Sequence, residues 1–176
     1  LLPAAGGDAS WQIRLGTMYL EYLFADDSEM KNLVQTNIRE LAADLEKEED
    51  PVCRWNAMAL YYLAEARWGE KEDLMKWIRE TGGEIGNEGG KTRFYLAAEV
   101  KISLYLGNYA HAEELLKVLI PWFEAGRNRR WLAESLFQRA IAEKARGETG
   151  LALKTMVESI AAANPFRYVR IYCGYG

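Results

Sequence analysis

The stretch LYLGNYAHAEELLKVLI, residues 104–120, decides the fold class, because it joins two helix-like patterns through one glycine. A helix that reaches Gly107 must stop there, since glycine adopts the left-handed conformation without the steric penalty of other residues. After the turn, apolar side chains recur at the spacing that gives a helix one buried face: Leu115, Leu116, Val118 and Leu119. The stretch therefore predicts two antiparallel helices joined by a tight turn.

This arrangement recurs along the chain with a long period. Three segments rich in alanine and aromatic residues, 55–68, 94–106 and 131–146, each reach a glycine and are followed by a second apolar, helix-like segment. The three glycines are Gly69, Gly107 and Gly147, at spacings of 38 and 40 residues. Shortly after the last two glycines come Ala112 and Ala152, whose small side chains allow two helices to cross closely. No alternating apolar run predicts a β-strand.

The start of the chain fits the same scheme. Residues 11–24 and 28–47 predict one more helical hairpin, and Asp26, Asp27 and Ser28 supply turn and N-cap chemistry between them. Pro51 suits the first turn of the next helix, where its missing N–H would be unpaired anyway. Further breaks are predicted at 81–90 and at 126–128.

We therefore predict an all-α fold, a right-handed superhelical solenoid of about four antiparallel helical hairpins over residues 1–165. Residues 166–172 lack helical caps, so 166–176 are predicted to form an extended or irregular tail. Because the sequence begins at Leu1 without methionine and stops after Tyr175 and Gly176, we interpret it as a piece of a longer protein, with the tail leading to an absent downstream module.

Composition narrows the function classes. Apolar residues make up 49% of the chain, enough for a substantial core, and the formal net charge is -4 with both signs interspersed. Such a surface repels a phosphate backbone, which disfavours nucleic-acid binding by this segment. No window predicts a membrane span or a secretory leader. Cys53 and Cys173 lie far apart and are interpreted as reduced, buried thiols, so we expect a cytoplasmic protein.

No residue pattern predicts catalysis. The nearest approach to a phosphate loop, residues 86–92, has the wrong glycine–lysine spacing. The single histidine, His111, is interpreted as an exposed or half-buried helix residue, because no second metal ligand accompanies it. Clustered acids such as Glu46, Glu48 and Asp50 are explained by a solvated surface. We therefore expect no enzyme activity, no cofactor and no metal site in this fragment.

A family resemblance rests on particular residues. Leu106, Gly107, Asn108 and Tyr109, followed by Ala112, resemble the tetratricopeptide signature, in which a small-Gly-x-Tyr turn precedes an alanine of the second helix. The 38 to 40 residue period exceeds the ordinary tetratricopeptide length and is similar to that of the maltose-activator-like, ATP-dependent LuxR-type transcriptional regulators.

The end of the chain adds to this resemblance. Residues 164–172, Asn-Pro-Phe-Arg-Tyr-Val-Arg-Ile-Tyr, and Gly176 stand in the order of the run that closes the repeat region in those regulators. The departure is Cys173, Gly174 and Tyr175, where the family has acidic residues. Residues 125–128 with 131–148 are similar to the family's penultimate hairpin, so the resemblance covers roughly the last 80 residues and the first 90 match only as generic hairpins.

The resemblance implies a function. In those regulators the repeat region receives an inducer or a repressing partner, an upstream ATPase module changes state, and a downstream helix-turn-helix binds DNA. By tetratricopeptide geometry, the first helix of each hairpin lines an inner groove, which places there Arg67, Phe94, Lys101, Tyr105, Glu134, Phe137 and Lys144. Cations, aromatics and a carboxylate together suit a sugar, a peptide or a small polar effector.

Two hypotheses stay open at this point. The first is an effector- or partner-binding sensor domain of a LuxR-type activator, which signals through solenoid shape and self-association and reaches DNA only through the absent helix-turn-helix. The second is a freestanding tetratricopeptide adaptor that grips a peptide or helix of a partner protein. The aromatic side chains also have a simpler explanation, because long repeats need them to fill the space between hairpins.

Overall fold

A computed structural model describes residues 10–25, 28–45, 47, 50–68, 72, 74–75 and 92–172. These residues form the following helices: α1 (Ser10–Phe24), α2 (Ser28–Leu45), α3 (Pro51–Trp68), α4 (Arg93–Tyr105), α5 (Tyr109–Ala125), α6 (Arg129–Ala145) and α7 (Thr149–Ala163). Two 3-10 turns follow, Asn164–Phe166 and Val169–Tyr172. No strand occurs among the described residues, so the all-α prediction is confirmed for them.

The chain divides into two compact units, the first within Leu1–Lys71 and Asn87–Tyr95. In this unit α1 packs on α2 and α3, and α2 packs on α3. Its apolar core is supplied mainly by Val34, Ile38, Leu41, Leu45, Ala57, Leu60, Leu63 and Ala64. Helix α3 begins as predicted at Pro51, and the Asp50 Oδ1 atom accepts a hydrogen bond of 2.9 Å from the Val52 N–H.

The second unit lies within Glu72–Gly86 and Leu96–Gly176 and contains the rest of α4, then α5, α6, α7 and the 3-10 turns. Helix α6 packs against both α5 and α7, and the Val169–Tyr172 turn also packs on α6. The apolar core of this unit includes Val100, Ile102, Leu115, Leu116, Leu119, Phe123, Leu132, Ala133, Leu136 and Ala152. Helix α6 is therefore central within its unit.

The turns of the second unit follow a regular spacing. Gly107, Arg127, Gly147 and Arg167 have φ angles of 77°, 51°, 85° and 54°, so a left-handed residue occurs every twenty residues. In each turn the next residue's N–H donates to a carbonyl oxygen five residues earlier, for example Asn108 to Ser103 at 2.8 Å. This bond closes the end of the preceding helix and satisfies one of its unpaired carbonyl groups.

These turns test the glycine interpretation. The left-handed conformation predicted for Gly107 and Gly147 is confirmed, whereas Gly69 lies outside the described residues. The predicted break at 126–128 is present, but Gly126 has a φ of -77° and the left-handed residue is Arg127. The glycines alone therefore did not reveal the twenty-residue spacing, because an arginine occupies the left-handed position of this turn.

Other expectations need correction. Val118 was placed on the buried face of α5, but it is 36% exposed, while Leu115, Leu116 and Leu119 are buried. The predicted extended or irregular tail, 166–176, includes the 3-10 turn Val169–Tyr172, in which Ile171 is buried, and residues 173–176 lie outside those described. Short 3-10 turns need no side-chain cap, so the absence of capping residues did not exclude this turn.

Some expectations fall partly outside the described residues. Cys53 is buried, as predicted, whereas Cys173 is not among those residues. Also outside the described residues are Asp26, Asp27, Glu46, Glu48, Glu49 and the glycine-rich break predicted at 81–90. In the helices that are described, none combines the length and the apolar character required to cross a bilayer.

Candidate functional site

A groove runs between α6 and α7 in the second unit, with a volume of ≈440 Å³. From α6 it is lined by Phe137, Ala140, Ile141, Lys144 and Ala145, and from α7 by Thr149, Ala152, Leu153 and Met156. The buried alanines Ala140 and Ala152 belong to this lining. Because their side chains are small, they leave space between two helices that otherwise pack closely. The result is an open apolar depression.

The C-terminal 3-10 turn borders this groove at Phe137. The rings of Phe137 and Tyr172 meet edge to face, with centroids 4.9 Å apart. The Ser159 hydroxyl donates to the Ala133 carbonyl oxygen at 2.7 Å, and it lies 3.1 Å from the Tyr172 hydroxyl. Since the Ser159 proton is used on the carbonyl, Tyr172 is the donor in the second bond. These contacts hold Phe137 in place.

Lys144 lies about two turns after Phe137 on α6, near the start of α7. Its Nζ atom donates to the Thr149 hydroxyl at 3.2 Å, and the side chain is exposed. Within the described lining Lys144 carries the one formal charge, and no carboxylate accompanies it. An ammonium at the edge of an apolar surface attracts a ligand that combines an apolar body with an acidic group. The groove therefore has one positive charge at the edge of an otherwise uncharged lining.

Two more of the residues predicted for the site, Lys101 and Glu134, pair with each other. Lys101 Nζ on α4 lies 2.7 Å from Glu134 Oε1 on α6, and the side chains are 22% and 6% exposed. An ion pair so shielded from water links the helices, because separating the partners would leave a charge poorly solvated. The structure thus gives Lys101 and Glu134 an internal contact and does not place them in the α6–α7 lining.

Arg67 and Phe94 belong to the first unit. The Arg67 guanidinium lies over the rings of Tyr22 and Trp68, 5.1 and 5.0 Å from their centroids, and it donates to the Tyr22 carbonyl oxygen. Phe94 meets Tyr19 edge to face, with centroids 5.3 Å apart. Both side chains therefore make packing contacts within their unit.

Tyr105, the last of the predicted site residues, lies at the end of α4 and is 53% exposed. Of the predicted set, the structure places Phe137 and Lys144 together in one groove. It joins Lys101 to Glu134 in a pair and leaves Tyr105 on the surface.

Buried carboxylates were missed by the sequence analysis. Glu99 on α4 is 1% exposed, and its Oε1 atom lies 2.8 Å from His111 Nε2 on α5. Glu143 on α6 is equally buried and accepts a bond of 3.0 Å from Arg139. The available signal was the position of Glu99 between the apolar residues Ala98 and Val100, where an acid implies a buried partner.

Buried polar atoms near these pairs remain without hydrogen bonds among the described residues. They are Glu99 Oε2, Ser103 Oγ and Glu143 Oε2. No group of three or more His, Cys, Asp or Glu side chains in the described part of the chain is arranged to hold a metal ion. The pairs connect helices, and the groove does not include them in its lining.

A smaller groove of ≈340 Å³ lies between α1 and α2 in the first unit. Its lining includes Arg14 and Asp44, which form an ion pair of 3.0 Å across it, together with Ile13, Met18 and Leu41. The lining also contains Glu40, so the charged side chain outside the Arg14–Asp44 pair is a carboxylate, whereas the α6–α7 groove has the Lys144 ammonium.

Comparisons with protein-family models, with curated proteins and with solved structures found no match for this chain.

Proposed function

We propose that this chain is a non-catalytic helical-repeat domain whose ligand binds in the groove between α6 and α7. The observation that supports this proposal is the open apolar groove of ≈440 Å³ with Phe137 and Lys144 in its lining. Its volume falls in the range of about 300–1,000 Å³ that is typical of ligand sites. In the proposal, α6 is the first helix of a hairpin, and the hairpins stack as a right-handed solenoid with this groove on the inner surface.

The groove defines the chemistry of the proposed ligand. Ala140, Ile141 and Ala152 offer apolar contact, and Phe137 offers a ring edge or face. Lys144 offers a charged donor that suits a carboxylate, a phosphate or a polar hydroxyl. A ligand with an apolar body and one acidic or polar end therefore fits better than a wholly polar one.

The first form of the proposal is a sensor. The domain would serve a LuxR-type activator in the cytoplasm and receive a small effector or a regulatory protein. Binding would favour one of two solenoid shapes, and hence self-association, to the extent that the ligand binds that shape more tightly. DNA would be contacted by a helix-turn-helix elsewhere in such a regulator.

The second form is an adaptor that holds a helix or peptide of a partner protein. It is favoured by the openness of the groove, which lies between two helices and gives room for an extended or helical segment. The two forms share one site and differ in the ligand.

The test is ligand binding measured by thermal shift and by titration calorimetry. One arm uses sugars, amino acids and nucleotides, and the other uses short amphipathic helical peptides with one acidic residue. A ligand from the first arm supports a sensor of small effectors, and one from the second supports the adaptor or a sensor of a regulatory protein. Lys144→Ala should weaken binding by about tenfold, because it removes a charge-assisted contact. Ala145→Trp should abolish binding by filling the groove.

The matched control is Lys117→Ala, which removes an exposed lysine of the same unit whose ion-pair partner is Glu114. This change should leave the dissociation constant unaltered. Binding that survives both Lys144→Ala and Ala145→Trp would exclude the α6–α7 groove as the site.

A further inference from the structure

Helix α7 exposes a row of large apolar side chains. Leu153, Val157 and Ile160 are 64%, 65% and 48% exposed, and Met156 beside them is partly exposed. Their spacing of three and four residues places them on one face of the helix, which we term the α7 stripe. Contiguous exposed aliphatic side chains on a folded domain indicate a contact surface, since leaving them in water is unfavourable.

The opposite face of α7 shows why the stripe is exposed. The residues that α7 buries are small or polar: Ala152, Thr155, Ser159, Ala162 and Ala163. They allow α7 to lie close to α6, and Ser159 bonds to the Ala133 carbonyl oxygen there. The larger apolar residues of this helix are therefore left largely exposed: Val157 and Ile160 face solvent, and Leu153 and Met156 lie at the wall of the groove.

A pair of opposite charges flanks the stripe on one side. Lys154 and Glu158 are both exposed and stand four residues apart, on the same flank of α7. If two copies of α7 pack antiparallel about a two-fold axis near Met156 and Val157, that flank of one copy meets the same flank of the other. Lys154 of each copy then lies opposite Glu158 of its mate.

The apolar residues match in the same register. Leu153 of one copy lies opposite Ile160 of the other, and Met156 lies opposite Val157. A parallel arrangement would place the two charged flanks on opposite sides of the contact, so it would form neither ion pair. The stripe and its charges are thus self-complementary in the antiparallel direction alone.

We propose that α7 is a self-association surface that binds α7 of a second copy of this chain in antiparallel orientation. The inference goes beyond the proposed ligand site, because it requires no ligand, although Leu153 and Met156 also line one wall of the groove. One helix per copy is a small contact compared with the roughly 1,200–2,000 Å² buried in stable interfaces. The dimer is therefore weak and depends on concentration.

The first measurement is sedimentation velocity of the 176-residue chain from low micromolar to near millimolar concentration. A reversible monomer–dimer equilibrium is expected, and Val157→Glu should abolish it by placing a charge at the centre of the stripe. Circular dichroism confirms that this variant folds, since Val157 is exposed. A chain that stays monomeric throughout overturns the proposal and leaves the stripe to a partner protein or to another segment of a longer chain.

Charge exchange tests the orientation without touching the apolar residues. Lys154→Glu and Glu158→Lys should each weaken self-association by about tenfold, because each replaces both ion pairs with like-charge contacts. An equimolar mixture of these two variants should form a heterodimer, and the double variant should recover the original dimer. A mixture that associates no better than its components overturns the antiparallel register.

Ligand binding by a monomeric variant separates this inference from the proposed function. Because Leu153 and Met156 belong to both surfaces, ligand binding is tested on the Val157→Glu variant, whose groove lining is unchanged. If this variant binds no groove ligand, the proposed function alone is contradicted. An unmodified chain that binds a groove ligand but stays monomeric at every concentration contradicts the present inference alone.

Discussion

At the residue scale, the four left-handed positions among the described residues show where this sequence uses a residue that is unfavourable for the local backbone conformation. Gly107 and Gly147 adopt positive φ at no steric cost, whereas Arg127 and Arg167 adopt it with a β-carbon. That conformation costs an L residue about 1–2 kcal/mol. The two arginine turns therefore form because the helices on either side require them, and the tertiary structure compensates for the local cost.

Arg127→Gly should raise the free energy of unfolding by about 0.5–1 kcal/mol. Glycine removes the strain at φ 51°, and the greater freedom of glycine in the unfolded chain offsets part of the gain. The Arg127 side chain is exposed, so little contact area is lost. Urea denaturation followed by circular dichroism measures the change.

Gly107→Ala is the matched control for this prediction. No heavy atom lies within 4 Å of the β-carbon that alanine would add there, so the penalty comes from the backbone conformation alone. We expect a loss of about 1 kcal/mol. If the two substitutions moved stability in the same direction, the account of these turns would be wrong.

At the element scale, polar pairs specify how α4 lies against its neighbours. Glu99 joins α4 to α5 through His111, and Lys101 joins α4 to α6 through Glu134. Apolar side chains tolerate small shifts between helices, but a buried carboxylate requires its donor at one position. These pairs therefore favour one register of α4.

His111→Leu should lower the free energy of unfolding by about 2–3 kcal/mol, because it removes the hydrogen-bond partner of the buried Glu99 carboxylate. The change is measured by denaturation at neutral pH. Adding Glu99→Met to His111→Leu should recover much of the loss, since both members of the pair are then apolar. A double variant as unstable as the sum of the single ones would show that the pair is not coupled.

At the scale of the whole molecule, the C-terminal turn shows how distant parts of the second unit come together. Tyr172 contacts Phe137 on α6 and Ser159 on α7, while Ile171 is buried beside it in the chain. The turn is thus part of the folded unit and borders the groove proposed to bind the ligand. Deleting the Val169–Tyr172 turn would remove the Tyr172 ring that packs on Phe137.

Tyr172→Phe should lower stability by about 0.5–1.5 kcal/mol, the usual value of one hydrogen bond, because it deletes the hydroxyl that bonds to Ser159. Tyr168→Phe serves as the control, since the same hydroxyl is lost from a tyrosine that stacks on Phe166 at 5.3 Å. Chemical denaturation of both variants gives the comparison. Equal effects would mean that the bond to Ser159 adds nothing to stability.

The sequence by itself determined the features that depend on a few neighbouring residues. Helix type, the start of α3 at Asp50 and Pro51, and the left-handed turns at Gly107 and Gly147 follow from capping and backbone sterics. The tetratricopeptide resemblance predicts Phe137 and Lys144 on one inner surface, and both residues lie in the α6–α7 groove lining; that a ligand binds there stays a prediction.

Only the tertiary structure decided which side chains satisfy each other. Lys101 and Glu134, for which the resemblance implies a ligand, form an ion pair with each other between α4 and α6. The tertiary structure also places His111 within hydrogen-bond distance of Glu99. It holds Arg127 at a positive φ angle and leaves Val118 exposed. Such outcomes depend on residues far away in the chain, and a periodic pattern contains no information about which partner that packing brings near.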